Sequence, residues 1–290
     1  MKILKYIFIH TLCLLQLYSA EFSTPLGPAN KEKEHILGIL LGFGQNMQNG
    51  IMYVDCEDCQ FENGVGFGYT FGFLYERQIA RNDDAPFLSN VFYGAILHLS
   101  NRNVSASYRE IRNTEFNEYD ANIPLLYRQK NEINIMNVGL TPYISYLPLK
   151  YVFIRLGLDG SVVFNANTKH TTELLDRRKT MPNDEIVDVY IGNNRKTYSL
   201  VLQDSPIKDI KRIQLGLMPM LGGNIYFSDK FIISPSFSYY IPFQNLIDKG
   251  DLSIHSWRLN FEFKYNLATD ERTYKSKKKP PIPPVSVRKR

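Results

Sequence analysis

The run His98-Leu99-Ser100-Asn101 places an imidazole and a hydroxyl two residues apart. On a β-strand, positions i and i+2 share a face. A base and a nucleophile could therefore meet there, with Glu110 or Glu115 orienting the base. The alternative is a polar pair inside a folded core. Leu97 and Leu99 form the more lipid-like opposite face, which turns His98 and Ser100 inward and away from a lipid substrate. A second constellation is CEDC, Cys56 to Cys59. A redox pair of this spacing needs a βαβ setting. Zinc needs four ligands, and only these two cysteines lie beyond the N-terminal twenty residues. The expectation is a short-loop disulfide in an oxidising compartment, with Asp55, Glu57 and Asp58 offering at most weak cation affinity. No glycine-rich phosphate loop and no metal-spaced histidines occur. No cofactor and no metal are expected.

The elements that must position these groups are strands. In GVGFGYTFGFLYERQI, the rings Phe67, Tyr69, Phe71, Phe73 and Tyr75 alternate with Gly66, Gly68, Thr70, Gly72 and Leu74, then Glu76. The period is two. Seven further segments repeat it, among them HILGILLGFGQN, YVFIRLGLDGSVVF and IHSWRLNFEFKYNL. In the last of these, Trp257, Phe261 and Phe263 oppose Arg258, Glu262 and Lys264. Each segment suits a tilted bilayer crossing of about 9–11 residues. Aromatics at 13% of the chain agree with a strand-rich fold.

The links between strands alternate in length. Those near residues 81–86, 147–150 and 228–230 are short, whereas 47–64, 101–131, 166–209 and 244–252 are long. Short periplasmic turns and long external loops mark outer-membrane barrels. The loop at 166–209 is read as a charged surface loop with a hairpin of its own, EIVDVYI against KTYSLVL. Residues 1–20 read as a secretory leader, with cleavage after Ser19 or Ala20. An N-terminal periplasmic segment (21–34), a barrel (35–266) and a basic, proline-rich periplasmic tail (267–290) follow. Although the formal charge is +5, residues 269–290 carry eight Lys/Arg against two acids. The basic balance therefore belongs to the tail, and export makes nucleic acid an implausible partner.

The expected fold is all-β, an eight-stranded antiparallel up-and-down transmembrane β-barrel. The rings Phe67, Tyr69, Phe71, Phe73, Tyr75, Trp257, Phe261 and Phe263 face lipid. A barrel of eight strands is filled by its own side chains. Glu76, Arg155, Asp159, Arg212, Arg258, Glu262 and Lys264 are expected to pair in its lumen. Prolines 142, 219 and 235 are expected at bulges or strand ends.

The glycine-aromatic strand GFGYTFGFLYE, the strand-turn-strand TPYISYLPLKYVFIRLGLDG and the last strand WRLNFEFKYNL resemble the small outer-membrane β-barrel family of the OmpA-barrel, OmpX and PorT-like kind. The resemblance implies recognition of the last strand by the barrel-insertion machinery. HLSN separately resembles the His-x-Ser-Asn motif of outer-membrane lipid A deacylases, although there the motif lies late in the chain. The expected function is a structural, adhesive or loop-mediated binding role in the bacterial outer membrane, non-enzymatic, as a monomer with a plugged lumen. Its partners would be outer-membrane lipid and, through the tail, peptidoglycan or a periplasmic protein. The rivals are a barrel-embedded lipid hydrolase using His98 and Ser100, and a soluble exported barrel of lipocalin type.

Overall fold

The computed structural model describes residues 34–53, 60–80, 88–116, 121–181, 183–191, 196–207, 209–228, 230–248 and 251–267. The leader, nearly all of the N-terminal segment, the tail beyond Leu267, and both Cys56 and Cys59 lie outside them. In chain order the strands are β1 (His35–Asn49), β2 (Met52–Tyr53), β3 (Gln60–Phe61), β4 (Val65–Gln78), β5 (Val91–Asn101), β6 (Val104–Phe116), β7 (Ala121–Leu149) and β8 (Val152–Leu174). They continue as β9 (Arg178–Thr180), β10 (Ile186–Asp188), β11 (Ser199–Pro206), β12 (Ile213–Gly223), β13 (Ile225–Tyr226), β14 (Phe231–Pro242) and β15 (Ser253–Asn266).

Eight of these strands close on themselves. β1 pairs with β4, β4 with β5, β5 with β7, β7 with β8, β8 with β12, β12 with β14, and β14 with β15. β15 returns to β1 without a register break, from Ile36↔Asn266 to Asn49↔Ser253. Every neighbouring pair is antiparallel. The first and last strands meet at the short-turn end, where the Leu267 amide donates to the His35 carbonyl over 2.7 Å.

Alternation then sorts the side chains by face. On β4, Phe67, Tyr69, Phe71, Phe73 and Tyr75 are exposed, whereas Leu74 and Glu76 are buried. On β15, Phe261 and Phe263 are exposed and Trp257 is half-exposed, while Arg258, Glu262 and Lys264 are buried. A water-soluble barrel of lipocalin type would have the opposite arrangement, with apolar residues inside and polar residues outside. An apolar exterior around a charged interior is stable only in hydrocarbon, where closure satisfies each strand's backbone groups.

The glycine face answers the question of what fills so narrow a lumen. A Cβ on Gly94 would lie 2.7 Å from the Tyr143 ring, and one on Gly139 would lie 2.8 Å from the His98 ring. On Gly68 it would collide with the Arg258 guanidinium. Large lumenal side chains therefore occupy the space that the glycines leave on facing strands.

The prolines depart from expectation. Pro142, Pro219 and Pro235 lie within strands, and each stays in register with one neighbour: Ala95, Leu156 and Phe261 respectively. On the other side the ladder skips the proline and resumes in the same register, as from Leu140↔Gly160 to Tyr143↔Gly157. The missing amide removes a local rung without shifting the strand. A true bulge occurs instead at Phe164. There Met136↔Asn165 gives way to Asn137↔Val163, and the inward positions of β8 change from odd to even.

Above that bulge the sheet leaves the ring. β6 takes the place of β5 beside β7, and β11 takes the place of β12 beside β8. The resulting order β6-β7-β8-β11 is a four-stranded sheet standing over one side of the mouth. Much of the two longest expected loops is therefore ordered strand. The hairpin expected between EIVDVYI and KTYSLVL is reduced to one bridge, Ile191↔Thr197. β10 pairs instead with the equally short β9, and β11 with β8, whose 23 residues offer a longer ladder.

A charge on the lipid face opposes this arrangement. Phe71→Arg, near the middle of β4, is expected to destabilise the barrel by about 2–4 kcal/mol. The readout is the denaturant midpoint of refolding into bilayers, followed by the gel shift between unboiled and boiled samples; an unchanged midpoint would contradict a lipid-facing Phe71.

Candidate functional site

The lumen is layered. Over its outer mouth lies an apolar cap in which Met52 and Phe61 of the first loop meet Val104 and Ala106 of β6, Ile133 and Ile135 of β7, and Leu246 and Leu252 of the last loop. The first loop is tied to β1 and to the upright sheet as well, with the Asn131 side-chain amide of β7 3.1 Å from Met52 Sδ. The Gln48 side-chain amide donates to the Phe61 carbonyl over 2.7 Å, and Phe61 meets the His170 ring edge-on at 5.4 Å between centroids. His170 is buried, with Nε2 3.0 Å from Gln129 Oε1. Burial among apolar groups, together with the nearby Arg112 cation, lowers its pKa below the ordinary histidine value.

Deeper in the barrel, Asp159 on β8 gathers three partners. His98 Nε2 lies 2.7 Å from Oδ1, Thr141 donates to the same oxygen over 2.9 Å, and Arg102 Nη2 donates to Oδ2 over 3.1 Å. This threefold contact arises from register. His98 faces Gly139 on β7, Gly139 faces Ser161 on β8, and the bare glycine lets the imidazole reach across. Ser100 is buried on the same face, but among the described residues its hydroxyl has no hydrogen-bond partner, and neither has His98 Nδ1. The base and the nucleophile share a face as expected, and it is the lumenal face.

The expected orienters are elsewhere. Glu110 pairs with Tyr127 of β7, twelve residues up that strand from the Gly139 opposite His98. At roughly 3.3 Å per residue, the separation is about 40 Å. Glu110 instead accepts from Gln129 over 2.7 Å and pairs with Arg112. Glu115 lies further up still, opposite Asn122.

Nearer the short-turn end, four of the expected charges form a closed tetrad. Arg155 donates to Glu262 through both terminal nitrogens, at 2.6 and 3.2 Å. It also approaches Glu76 at 3.6 Å, while Lys264 reaches Glu76 at 3.3 Å and Glu262 at 3.0 Å. Two cations thus alternate with two carboxylates. Arg155 is 1% exposed and Glu262 0%, and the Arg155 guanidinium sits 4.1 Å over the Tyr143 ring. Charges this deep are tolerated because each is paired.

Arg258 is lumenal as expected but belongs to no ion pair among the described residues; its donors reach Asn46 Oδ1 and backbone carbonyls. Arg212 is a correction. It is exposed at the bend before β12, and the alternation that would carry it inward begins only at Ile213. Two lumenal groups were not anticipated. Asn46 continues the inward series of Gly42 and Gly44, so extending β1 by one period would have found it. Arg102 lies past the end of β5, and period-two reasoning has no purchase at a bend.

An apolar exterior, a charged lumen and the alternation of short turns with long strand-built loops define the architecture. The chain is an outer-membrane β-barrel. No protein-family model and no curated protein matches it. Among solved structures, it is similar to Ail, the attachment invasion locus protein of Yersinia pestis, at 14% identity and a TM-score of 0.31, over 80% of this chain and 99% of that one. It is similar to Neisserial surface protein A at 7% identity and a TM-score of 0.35, over 79% and 96%. A third similarity is to OprG from Pseudomonas aeruginosa, at 10% and 0.32, over 83% and 99%.

Two outcomes test this geometry. Glu262→Gln leaves Arg155 and Lys264 sharing Glu76, and a loss of about 3–5 kcal/mol in refolding free energy is expected; an unperturbed midpoint would mean that the tetrad carries little. His170 has a depressed native pKa, so between that value and the free value of about 6.5 the unfolded segment binds more protons. The upright sheet should therefore lose stability as pH falls through that window. Amide exchange in β7 and β8 above Phe164 measures it, and His170→Gln should flatten the dependence.

Proposed function

We propose that this barrel is a sealed membrane anchor for the sheet β6-β7-β8-β11, which binds a partner outside the cell in an adhesive or structural role. The observation that carries this reading is the sheet itself. Its exposed apolar residues, Ile111 on β6 and Leu200, Val201 and Leu202 on β11, stand well above the lipid-facing belt. Apolar groups exposed to water at an outward edge suit a contact surface. A second cluster braces the sheet's tip, where Leu125 and Leu174 pack with Met181 and Val189 of the longest loop.

The apolar cap and the tetrad support a plugged lumen over an open pore. The proposed partners at the membrane are outer-membrane lipid around the barrel and the insertion machinery, which would read Phe261, Phe263 and Tyr265 on β15. Residues beyond Leu267 continue from the short-turn end, which suits contact with peptidoglycan or a periplasmic protein. The protein works as a monomer and is not an enzyme.

One observation favours the rival lipid hydrolase, namely the 2.7 Å contact between His98 and Asp159. Against it, that contact uses Nε2, Ser100 makes no bond to the imidazole, and both groups face the lumen.

In planar bilayers the reconstituted chain is expected to show no stable unit conductance; steady channel openings would sink the sealed reading. Leu200→Glu combined with Leu202→Glu should reduce adherence of displaying cells to matrix-coated surfaces several-fold while leaving the gel shift intact. Ser100→Ala should not alter acyl-chain release from outer-membrane lipid, and a loss of such release would favour the hydrolase.

A further inference from the structure

Between the cap and the tetrad the lumen holds a cavity of about 40 Å³, lined in part by His98, Ser100, Arg102, Asp159, Tyr240 and Arg258. That volume accommodates one or a few water-sized guests. Its charge is unbalanced. Among the described residues, the buried cations are Arg102, Arg155, Arg258 and Lys264, and the buried carboxylates are Glu76, Asp159 and Glu262. The tetrad is neutral by itself, and Asp159 is taken by Arg102. Arg258 is left over.

Its surroundings do not neutralise it. The Arg258 terminal nitrogens donate to the carbonyls of Gln45, Trp257 and Asn101 at 3.2, 2.9 and 3.0 Å and to Asn46 Oδ1 at 2.6 Å. All four acceptors are uncharged, and Nε has no partner. Arg102 and Arg258 both line this cavity. The Arg102 guanidinium carbon sits over the Tyr240 ring, 3.8 Å from its centroid. The Ser100 hydroxyl, buried on the same wall, is also unpartnered. An uncompensated charge shielded from water is costly. Even so, the fold makes room for this one, because the missing Cβ of Gly68 is what admits the guanidinium.

We propose that the cavity is a binding site for one small monovalent anion of the halide class, held by Arg258 and Arg102 with the Ser100 hydroxyl as a further donor. A single negative charge balances the lumen. A doubly charged ion would overcompensate beside Asp159. The site is independent of whatever the external sheet binds.

Bromide is the probe. Crystals of the full chain refolded in sodium bromide should give an anomalous peak in the cavity beside Arg258, and Arg258→Gln should remove it. In detergent, the thermal midpoint should rise with chloride or bromide concentration relative to gluconate at equal ionic strength, and Arg258→Gln should abolish that increment. If Arg258→Gln does not fold, the wild-type bromide map decides. An intact wild-type barrel with bromide only on surface residues, or with a water-filled cavity, would overturn the proposal.

Discussion

Closure of the ladder between β1 and β15 is the constraint on which everything else rests. In hydrocarbon an unpaired backbone amide or carbonyl has no water to turn to, so a spanning sheet must have no edge. The continuous register from Ile36↔Asn266 to Asn49↔Ser253 removes the last one. Once the sheet is closed, alternation leaves no choice. One face of every strand meets lipid, and the other meets a space too narrow for bulk water. The exposed rings of β4 and the buried Glu76 on the same strand are two consequences of one geometric fact.

A narrow lumen imposes its own chemistry. Hydrophobic burial organises only part of it: Ile36, Leu40, Leu74, Phe92, Ile96, Met220 and Ile232 cluster inside the barrel, while many of the remaining apolar residues face outward. Polar groups fill the rest, and the charged ones need partners there. The tetrad and the Asp159 hub are two solutions, each spanning strands far apart in sequence. Arg155 and Glu262 are separated by 107 positions. These bonds lock the staves against one another much as a packed core locks a soluble domain, and they leave Arg258 as the group whose charge the protein does not answer.

Outside the membrane the constraint relaxes, and ordinary sheet physics returns. Only there do strands end in open edges, since water can satisfy them. Two further hydrophobic clusters form there, in the cap and at the sheet's tip. The bulge at Phe164 marks the transition on β8 by changing which residues face inward.

The period-two pattern, the glycine-aromatic alternation and the loop lengths were enough to read the eight staves, their inward and outward faces and most of the lumenal charges. Each is a local property, fixed by the backbone's two-residue repeat and the medium on each side. Partner choice was not local. That Glu262 takes Arg155 and that His98 turns to Asp159 rather than to Glu110 depend on register between strands distant in sequence, and Arg212 stays outside because β12 begins only after it. The upright sheet escaped for the same reason: residues 101–131 and 166–209 look like loops until β7 and β8 are placed side by side, and only then does each give the other's extension a ladder to join. Sequence alone determined the surface each strand presents, because that follows from alternation; tertiary structure decided which charges meet, because that follows from closure.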